Sequence, residues 1–293
     1  MTSRPTAQAV LARLCDTPGD VVFGPAQAGE GNWVGAPSAC LVDGAWWLAH
    51  RERVPEAQGR GRANVLSRST DGATFDQVGE VSSADFGAAS LERPRLVSLP
   101  DGGWRLYVSC STPGSKHWWV ESLDAPTVEG LAQGARTVVL AGDESQAWKD
   151  PVIWRAGAQW QMWVCRHPLD GGPAEADRMT SHHAVSDDGL RWTFTGGALV
   201  PTSGTWDSRG TRVTAAYDGG LFYDGRATAA ENFHERTGLA AGRPPTAIAG
   251  PTPAGRTVRY LDLVRTSRGV RLFWESSRPD GSHDLRTTEL EAR

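Results

Sequence analysis

Charged side chains recur at one kind of place in this chain, at the start of short apolar, β-rich runs. Glu92, Arg93 and Arg95 lead into LVSL, Lys149 and Asp150 into PVIW, Asp207, Arg209 and Arg212 into VTAAY, and Asp262 falls within YLDLV. A charge at the head of an apolar strand is costly unless it lines a cavity or meets a partner, so these positions are the candidates for chemistry. Carboxylates brought together can divide proton donation and acceptance between them. Asp150, Glu92 and Asp207 are the carboxylate candidates. Arginine presents a planar fork suited to carboxylate or phosphate, which makes Arg93, Arg209 and Arg226 candidate ligand clamps, with Arg51, Arg95, Lys116, Lys149 and Arg212 adding positive charge. If these converge, the ligand is anionic: a uronate, a sugar phosphate or inorganic phosphate. The competing reading is an ion-pair ring, Arg93 with Glu92 or Asp150 and Arg209 with Asp207, that only holds structural units together. His117 in GSKHWW and His167 in CRHPLDGG follow Trp-rich segments and join the ligand-binding candidates, as does Glu231, with Glu275 in reserve. Either histidine can serve as acid or base. His182 and His183 are adjacent, so in a strand they point to opposite faces; neither a metal site nor a cofactor is expected.

The elements that must position these residues are visible as repeats. APSACLVDGAWWLAHR (36–51), RPRLVSLPDGGWRLYVSC (93–110) and DPVIWRAGAQWQMWVCR (150–166) each run from a Pro through an apolar strand, turn at Gly and return through a Trp-rich strand. Pro37, Pro94 and Pro151 are spaced 57 residues apart. A fourth copy lies at 208–226 and a fifth, shorter one at 260–277. SRSTDGATF (67–75) and AVSDDGLRW (184–192) supply Ser-x-Asp-Gly-x-x-aromatic, in which the Asp caps the turn that Gly permits; Asp71 and Asp188 are therefore turn formers. Gly and Pro, 34 and 18 in number, punctuate the remainder, and only residues 6–15, with Val10, Leu11 and Leu14 at helical spacing, predict a helix. Five units of this length, each sufficient for four strands, predict an all-β chain: a five-bladed β-propeller with a short N-terminal helix. It forms one domain over 1–293 whose blades begin near 36, 93, 150, 208 and 260. The mouth of such a channel collects residues from every blade. The 13 Trp residues serve foremost as wedges between blades.

Composition excludes other classes. A net charge of −4 gives no nucleic-acid footprint, and no apolar run approaches a membrane span. The first 20 residues lack a secretion signal, so the expected location is the cytoplasm. Four cysteines without CxxC spacing read as free thiols.

KDPVIW (149–154), SDDGLRW (186–192), YDGR (223–226) and ENFHERTGLA (231–240) resemble the five-bladed propeller glycosidase superfamily, which contains arabinanases, xylosidases, invertases and mannoside phosphorylases. The resemblance covers about residues 30–280. It implies an enzyme acting on a carbohydrate or carbohydrate-like small molecule, with carboxylates set around the channel as general acid and as base or nucleophile. Asp150 matches the blade-three Asp-Pro of the arabinanase type, so the resemblance implies that Asp150 is the orienting or basic carboxylate, with Glu92 and Asp207 as the acid/base pair. The blade-one base of those enzymes falls on Ala36, and their blade-four acid near Arg209, so two carboxylates are replaced. Glycoside hydrolysis of an anionic carbohydrate is the expected activity. The alternatives are phosphorolysis or a non-hydrolytic sugar conversion in small-molecule biosynthesis, and a propeller that has lost its catalytic pair and only binds carbohydrate.

Overall fold

The computed structural model describes residues 4–172 and 174–292. Thr6 accepts a hydrogen bond from the Ala9 amide and caps helix α1 (Ala7–Asp16), whose Val10, Leu11 and Leu14 share one buried face. Strand β1 (Asp20–Phe23) follows. The other strands come in antiparallel sets. The first holds β2 (Trp33–Val42), β3 (Ala45–Arg53), β4 (Gly61–Ser69) and β5 (Asp76–Ser82); the second holds β6 (Ser90–Leu91), β7 (Arg95–Ser98), β8 (Trp104–Ser111), β9 (Trp118–Ala125) and β10 (Ala135–Leu140). The third is β11 (Gln146–Ala156), β12 (Gln159–Pro168), β13 (Thr180–Ser186) and β14 (Thr193–Leu199). The fourth is β15 (Gly210–Tyr217), β16 (Gly220–Arg226), β17 (Arg236–Ala241) and β18 (Thr246–Ala249), and the last is β19 (Val258–Arg265), β20 (Gly269–Ser277) and β21 (His283–Glu291). The strand β1, from the start of the chain, pairs with β21 and supplies the fourth strand of this last set. The last and first sets join at a single parallel pair, Trp33 with His283.

This is a β-propeller. The strands β2, β7, β11, β15 and β19 touch one another in turn, and the last touches the first, so they ring the axis. Between each set and the next lies one apolar cluster, which is why the sequence repeats its strands in threes and fours with Trp and Leu at the returns. Leu66 and Val81 meet Leu106 and Leu123; Tyr107 and Val120 meet Ile153 and Met162; Trp163 and Leu199 meet Val213 and Tyr223. Phe273 and Leu285 close the ring against Trp46 and Phe75. The fourth and fifth sets meet through Phe222, Leu239, Leu261 and Leu272, and the buried face of α1 covers this seam. Tryptophans act as wedges here, Trp47 lying 5.4 Å from Trp104 across the first seam.

The Asp-Gly hairpins form as the sequence predicts. Asp71 Oδ1 accepts from the amides of Ala73 and Thr74, and Asp188 Oδ1 from those of Leu190 and Arg191. These backbone bonds, that from Thr74 foremost for Asp71 and that from Arg191 for Asp188, hold both carboxyls at about 2. Phe75 and Trp192 then pack into the inter-blade clusters. The four cysteines are free thiols, Cys110 and Cys165 buried and Cys15 and Cys40 partly so. No helix among the described residues is long and apolar enough to cross a membrane.

One irregularity matters for the site. Strands β2, β11, β15 and β19 each carry an extra residue relative to their partner, between Gly35 and Ser38, Lys149 and Val152, Val213 and Ala215, and Arg259 and Asp262. At three of these bulges a non-glycine residue takes the left-handed conformation: Ala36 (φ 50°), Asp150 (φ 55°) and Tyr260 (φ 54°). Bulges of this kind re-aim side chains and are frequent beside functional sites.

Because α1 seals the seam between the fourth and fifth blades with fully buried Leu14, Leu14→Ala is expected to cost about 2–5 kcal/mol in denaturant unfolding. Val21→Ala, at a position 53% exposed, should change stability by less than about 0.5 kcal/mol.

Candidate active site

The bulges put one residue from each strand at a common level around the axis. Pairing of Gly35 with Arg51, Lys149 with Cys165, Arg212 with Asp224 and Arg259 with Glu275 places Gly35, Lys149, Arg212 and Arg259 near that level, Gly35, Lys149 and Arg259 just ahead of the irregularity and Arg212 one paired residue before it. In the second blade Glu92 occupies the gap between β6 and β7, ahead of Pro94. Blade four therefore presents Arg212 at the level where the sequence resemblance put a residue near Arg209.

Above this level lies a cavity of about 140 Å³. Lys149, Arg212, Arg259 and Tyr260 come to it from the inner strands and Glu92 from the gap between β6 and β7, with His167 from β12 and Arg226 from β16. Trp118, the first residue of β9, and the loop residues Arg60, Lys116, Asp177, Phe233 and Glu235 complete the wall. Its charged side chains are six cations (Arg60, Lys116, Lys149, Arg212, Arg226, Arg259) and three carboxylates (Glu92, Asp177, Glu235), so the wall has a surplus of positive charge.

A buried network ties these groups together. Arg51 donates to Glu92 and, at 2.9 Å, to Glu275. Arg259 lies 3.6 Å from Glu275 and 3.1 Å from Glu235, and Arg226 donates to the other oxygen of Glu235 at 2.8 Å. Arg212 donates to Asp224 at 2.8 Å and to the Tyr260 hydroxyl at 2.9 Å, and its Nη1 lies 3.5 Å from Asp150. The Lys149 ammonium, almost fully buried, sits 3.6 Å from Asp150 and 4.3 Å above the Trp118 ring. No hydrogen-bond partner among the described residues satisfies Nε of Arg212, Arg226 or Arg259, or Nε2 of His167. The arginine N–H groups left in this state favour an acceptor from outside the chain. Gly35 leaves room for the network: a Cβ there would meet Glu275 Oε2 at 2.2 Å.

The electrostatics follow from these pairings. Burial alone would raise the Glu92 carboxyl, but Arg51, then Lys149 and Arg53, outweigh it and hold the group well below the usual range. Burial is likewise overcome at Glu235, where Arg259, Arg212 and Arg226 bring the carboxyl down to about 2. Both are ionised at neutral pH. Burial raises Asp224, which Arg212 offsets only in part, but Asp224 stands behind Arg212 and off the wall. Burial, reinforced by Lys149 and Arg226, keeps His167 neutral. Among the described residues no group of three or more His, Cys, Asp or Glu side chains is arranged to hold a metal ion.

The candidates drawn from sequence separate into those at the cavity and those beside it. Glu92, Arg226 and His167 line it. Asp150 is fully buried behind the wall between Lys149 and Arg212, its amide donating to Ser109 Oγ at 2.8 Å. Asp207 accepts from the Tyr223 hydroxyl at 2.8 Å and from Thr205, away from the wall. Arg93 is buried deeper on the axis, donating to the carbonyls of Pro37 and Leu261 with Asp262 at 4.0 Å. Arg209 pairs with Asp177 at 2.8 Å, and His117 Nδ1 lies 2.8 Å from Thr112 Oγ1. Glu231 accepts from the Ala227 amide at 2.6 Å and holds the loop that carries Phe233 and Glu235. The pairs proposed for an ion-pair ring form otherwise: Glu92 meets Arg51 and Arg53, and Arg209 meets Asp177. Sequence reasoning missed Arg259, Tyr260 and Glu235. The first two were accessible by aligning RYLD (259–262) with KDPV (149–152); Glu235 sits in the loop between the second and third strands of its blade, outside the strand segments that repeat.

No family model matches the chain, and no curated protein does. Solved structures do. One is described as belonging to work on the GH130 family of mannoside phosphorylases, which contains glycoside hydrolases that target β-1,2 mannosidic linkages in Candida mannan; it is 14% identical, with 100% of this chain and 96% of that chain covered and a TM-score of 0.61. An endo-arabinase from Bacteroides thetaiotaomicron matches at 13% identity over 94% of this chain and 98% of its own, with a TM-score of 0.61. A GH43_1 enzyme from Xanthomonas citri, complexed with xylotriose, matches at 13% identity over 95% and 91%, with a TM-score of 0.63. The chain has the fold of these propeller glycoside hydrolases, in agreement with the resemblance read from its sequence motifs.

Since Glu235 compensates three guanidinium groups, Glu235→Gln leaves buried charge unpaired and is expected to cost about 3–5 kcal/mol. A folded-state value of about 2 against the usual 4.5 stabilises the protein at pH above 4.5. That contribution, about 3 kcal/mol, is lost as the pH falls from 4.5 through 2. Chemical denaturation of both forms across this window should show the parent losing this contribution and the variant not.

Proposed function

We propose that this chain is a glycosidase-type enzyme that acts on a single anionic sugar unit, a uronic acid or a sugar phosphate, held in the axial cavity. The observation that carries the reading is the surplus of cations on the wall together with the unpartnered Nε–H groups of Arg212 and Arg226. A neutral sugar would leave that charge unanswered, whereas a carboxylate or phosphate matches the arginine fork. At about 140 Å³ the cavity is well below the roughly 300–1,000 Å³ of drug-sized pockets, which suits one ring and leaves any aglycone outside. In this reading Glu92 and Glu235 are the carboxylates available as base or nucleophile, and Asp150 orients Lys149 and Arg212 from behind. The fold's occurrence in an arabinase, a xylotriose-bound enzyme and mannoside-targeting enzymes supports carbohydrate as the ligand class.

The same cations favour a second reading, in which inorganic phosphate enters as the nucleophile and the reaction is a phosphorolysis. Mass-spectrometric detection of products from a panel of aryl glycosides and uronides, with and without phosphate, separates the two: free sugar in both buffers means hydrolysis, and sugar phosphate formed only with phosphate means phosphorolysis. Lys149→Met should raise KM for an anionic substrate by about 10-fold or more, the loss of one charge-assisted hydrogen bond, and should also lower Tm, because the buried Asp150 loses one of its two cationic partners. An unchanged KM, or release of neutral sugars only, would remove the anionic assignment.

A further inference from the structure

The carboxylates on the cavity wall present a difficulty for any reaction that needs a proton. Glu92 and Glu235 are ionised, and Asp177 is engaged by Arg209 and Arg226. A departing alkoxide requires a donor, and one wall residue has an uncommitted O–H. The Tyr260 hydroxyl accepts from Arg212 Nη1 at 2.9 Å, and among the described residues it donates no hydrogen bond of its own. A buried hydroxyl donor in this state points to an acceptor supplied by the ligand. Its placement is over-determined: the backbone is in the left-handed region (φ 54°), the amide donates to Asp224 Oδ2 at 2.9 Å, and the ring is stacked by the guanidinium groups of Arg212 at 3.8 Å, Arg259 at 4.7 Å and Arg51 at 5.4 Å. A bulky residue held at positive φ by so many partners is the kind of strain that clusters at functional sites.

We propose that Tyr260 is the proton donor to the bound ligand and the general acid of the reaction, an assignment that rests on the glycosidase reading above. The phenol O–H proton passes to the glycosidic oxygen as the bond from that oxygen to the anomeric carbon breaks, the bonding electrons staying on the departing oxygen. Arg212, already bonded to the phenol oxygen, stabilises the phenolate. Water adds to the anomeric carbon, its proton goes to an ionised wall carboxylate, and solvent returns that proton to the phenolate. Burial keeps the phenol protonated across the physiological range despite the guanidinium groups around it, so the donor is loaded at rest.

Leaving-group dependence tests the assignment, because a good leaving group departs without protonation. Tyr260→Phe is expected to lower kcat on a methyl glycoside by about 100-fold or more, the scale of general acid catalysis, and on the 2,4-dinitrophenyl glycoside of the same sugar by less than about 10-fold. Equal losses on both, as from a purely structural role, would overturn it. Site-specific 3,5-difluorotyrosine at position 260, nearly isosteric with tyrosine but a stronger acid, should move the alkaline limb of the pH–rate profile to lower pH; an unmoved limb would overturn it even if the Phe variant failed to fold. Absence of turnover by the parent on every glycoside would instead overturn the glycosidase reading and the acid role with it. Donation to the ligand is then read by titrating D-glucuronate into parent and Tyr260→Phe protein: an affinity about 10-fold lower in the variant supports it, and equal affinity overturns it.

Discussion

Six cations and five carboxylates share a nearly dry space at the propeller axis, and the architecture around them depends on their staying paired. Arg51, Arg53, Lys149, Arg212, Arg226 and Arg259 are set against Glu92, Asp150, Asp224, Glu235 and Glu275. Charges buried in this way are tolerated only when each finds an opposite partner in good geometry. Here the partners come from different blades: Arg51 of the first blade holds Glu92 of the second and Glu275 of the fifth, and Arg259 of the fifth reaches Glu235, in the loop following the fourth blade's second strand. The network thus couples the closure of the ring to the shape of the cavity. The apolar clusters between blades supply the driving force of burial, and the ionic network selects which side chains face inward.

The same constraint explains two features with no other reason to be where they are. Gly35 stands at the level where the third, fourth and fifth blades carry Lys149, Arg212 and Arg259, and its missing side chain is the space that Glu275 fills. His283, at the single pair that joins the last blade to the first, stacks 4.7 Å from Trp33 and shares Glu275 through its Nδ1 at 2.7 Å. The seam that closes the ring therefore meets the network at Glu275, so the site and the ring closure are parts of one structure.

The fold was legible because its causes are local and repeated. Asp-Gly hairpins, Pro at a fixed interval and Trp-rich return strands each follow from turn and strand chemistry, and Asp71 and Asp188 do in the structure what their spacing implied. The site was legible only in part. Glu92, His167 and Arg226 reach the cavity because they flank strands whose direction the repeats define. Asp207 and Arg209 belong to the same stretch of chain but turn to Tyr223 and Asp177, a choice set by tertiary partners that no periodicity encodes. Tyr260 was overlooked because a tyrosine in an apolar run reads as core, and what distinguishes it, a positive φ and an unclaimed hydroxyl proton, exists only once the chain is folded.

In the proposed function this network leaves the cavity with a surplus of positive charge that an anionic sugar would answer. Calorimetric titration of the unmodified protein with D-glucuronate and, separately, with D-glucose tests it most directly, since the two differ only in the carboxylate that replaces a hydroxymethyl group. Saturable binding of glucuronate at least about 10-fold tighter than that of glucose is expected, the scale of one charge-assisted hydrogen bond. Equal affinity for the two sugars, or preference for glucose, would contradict it.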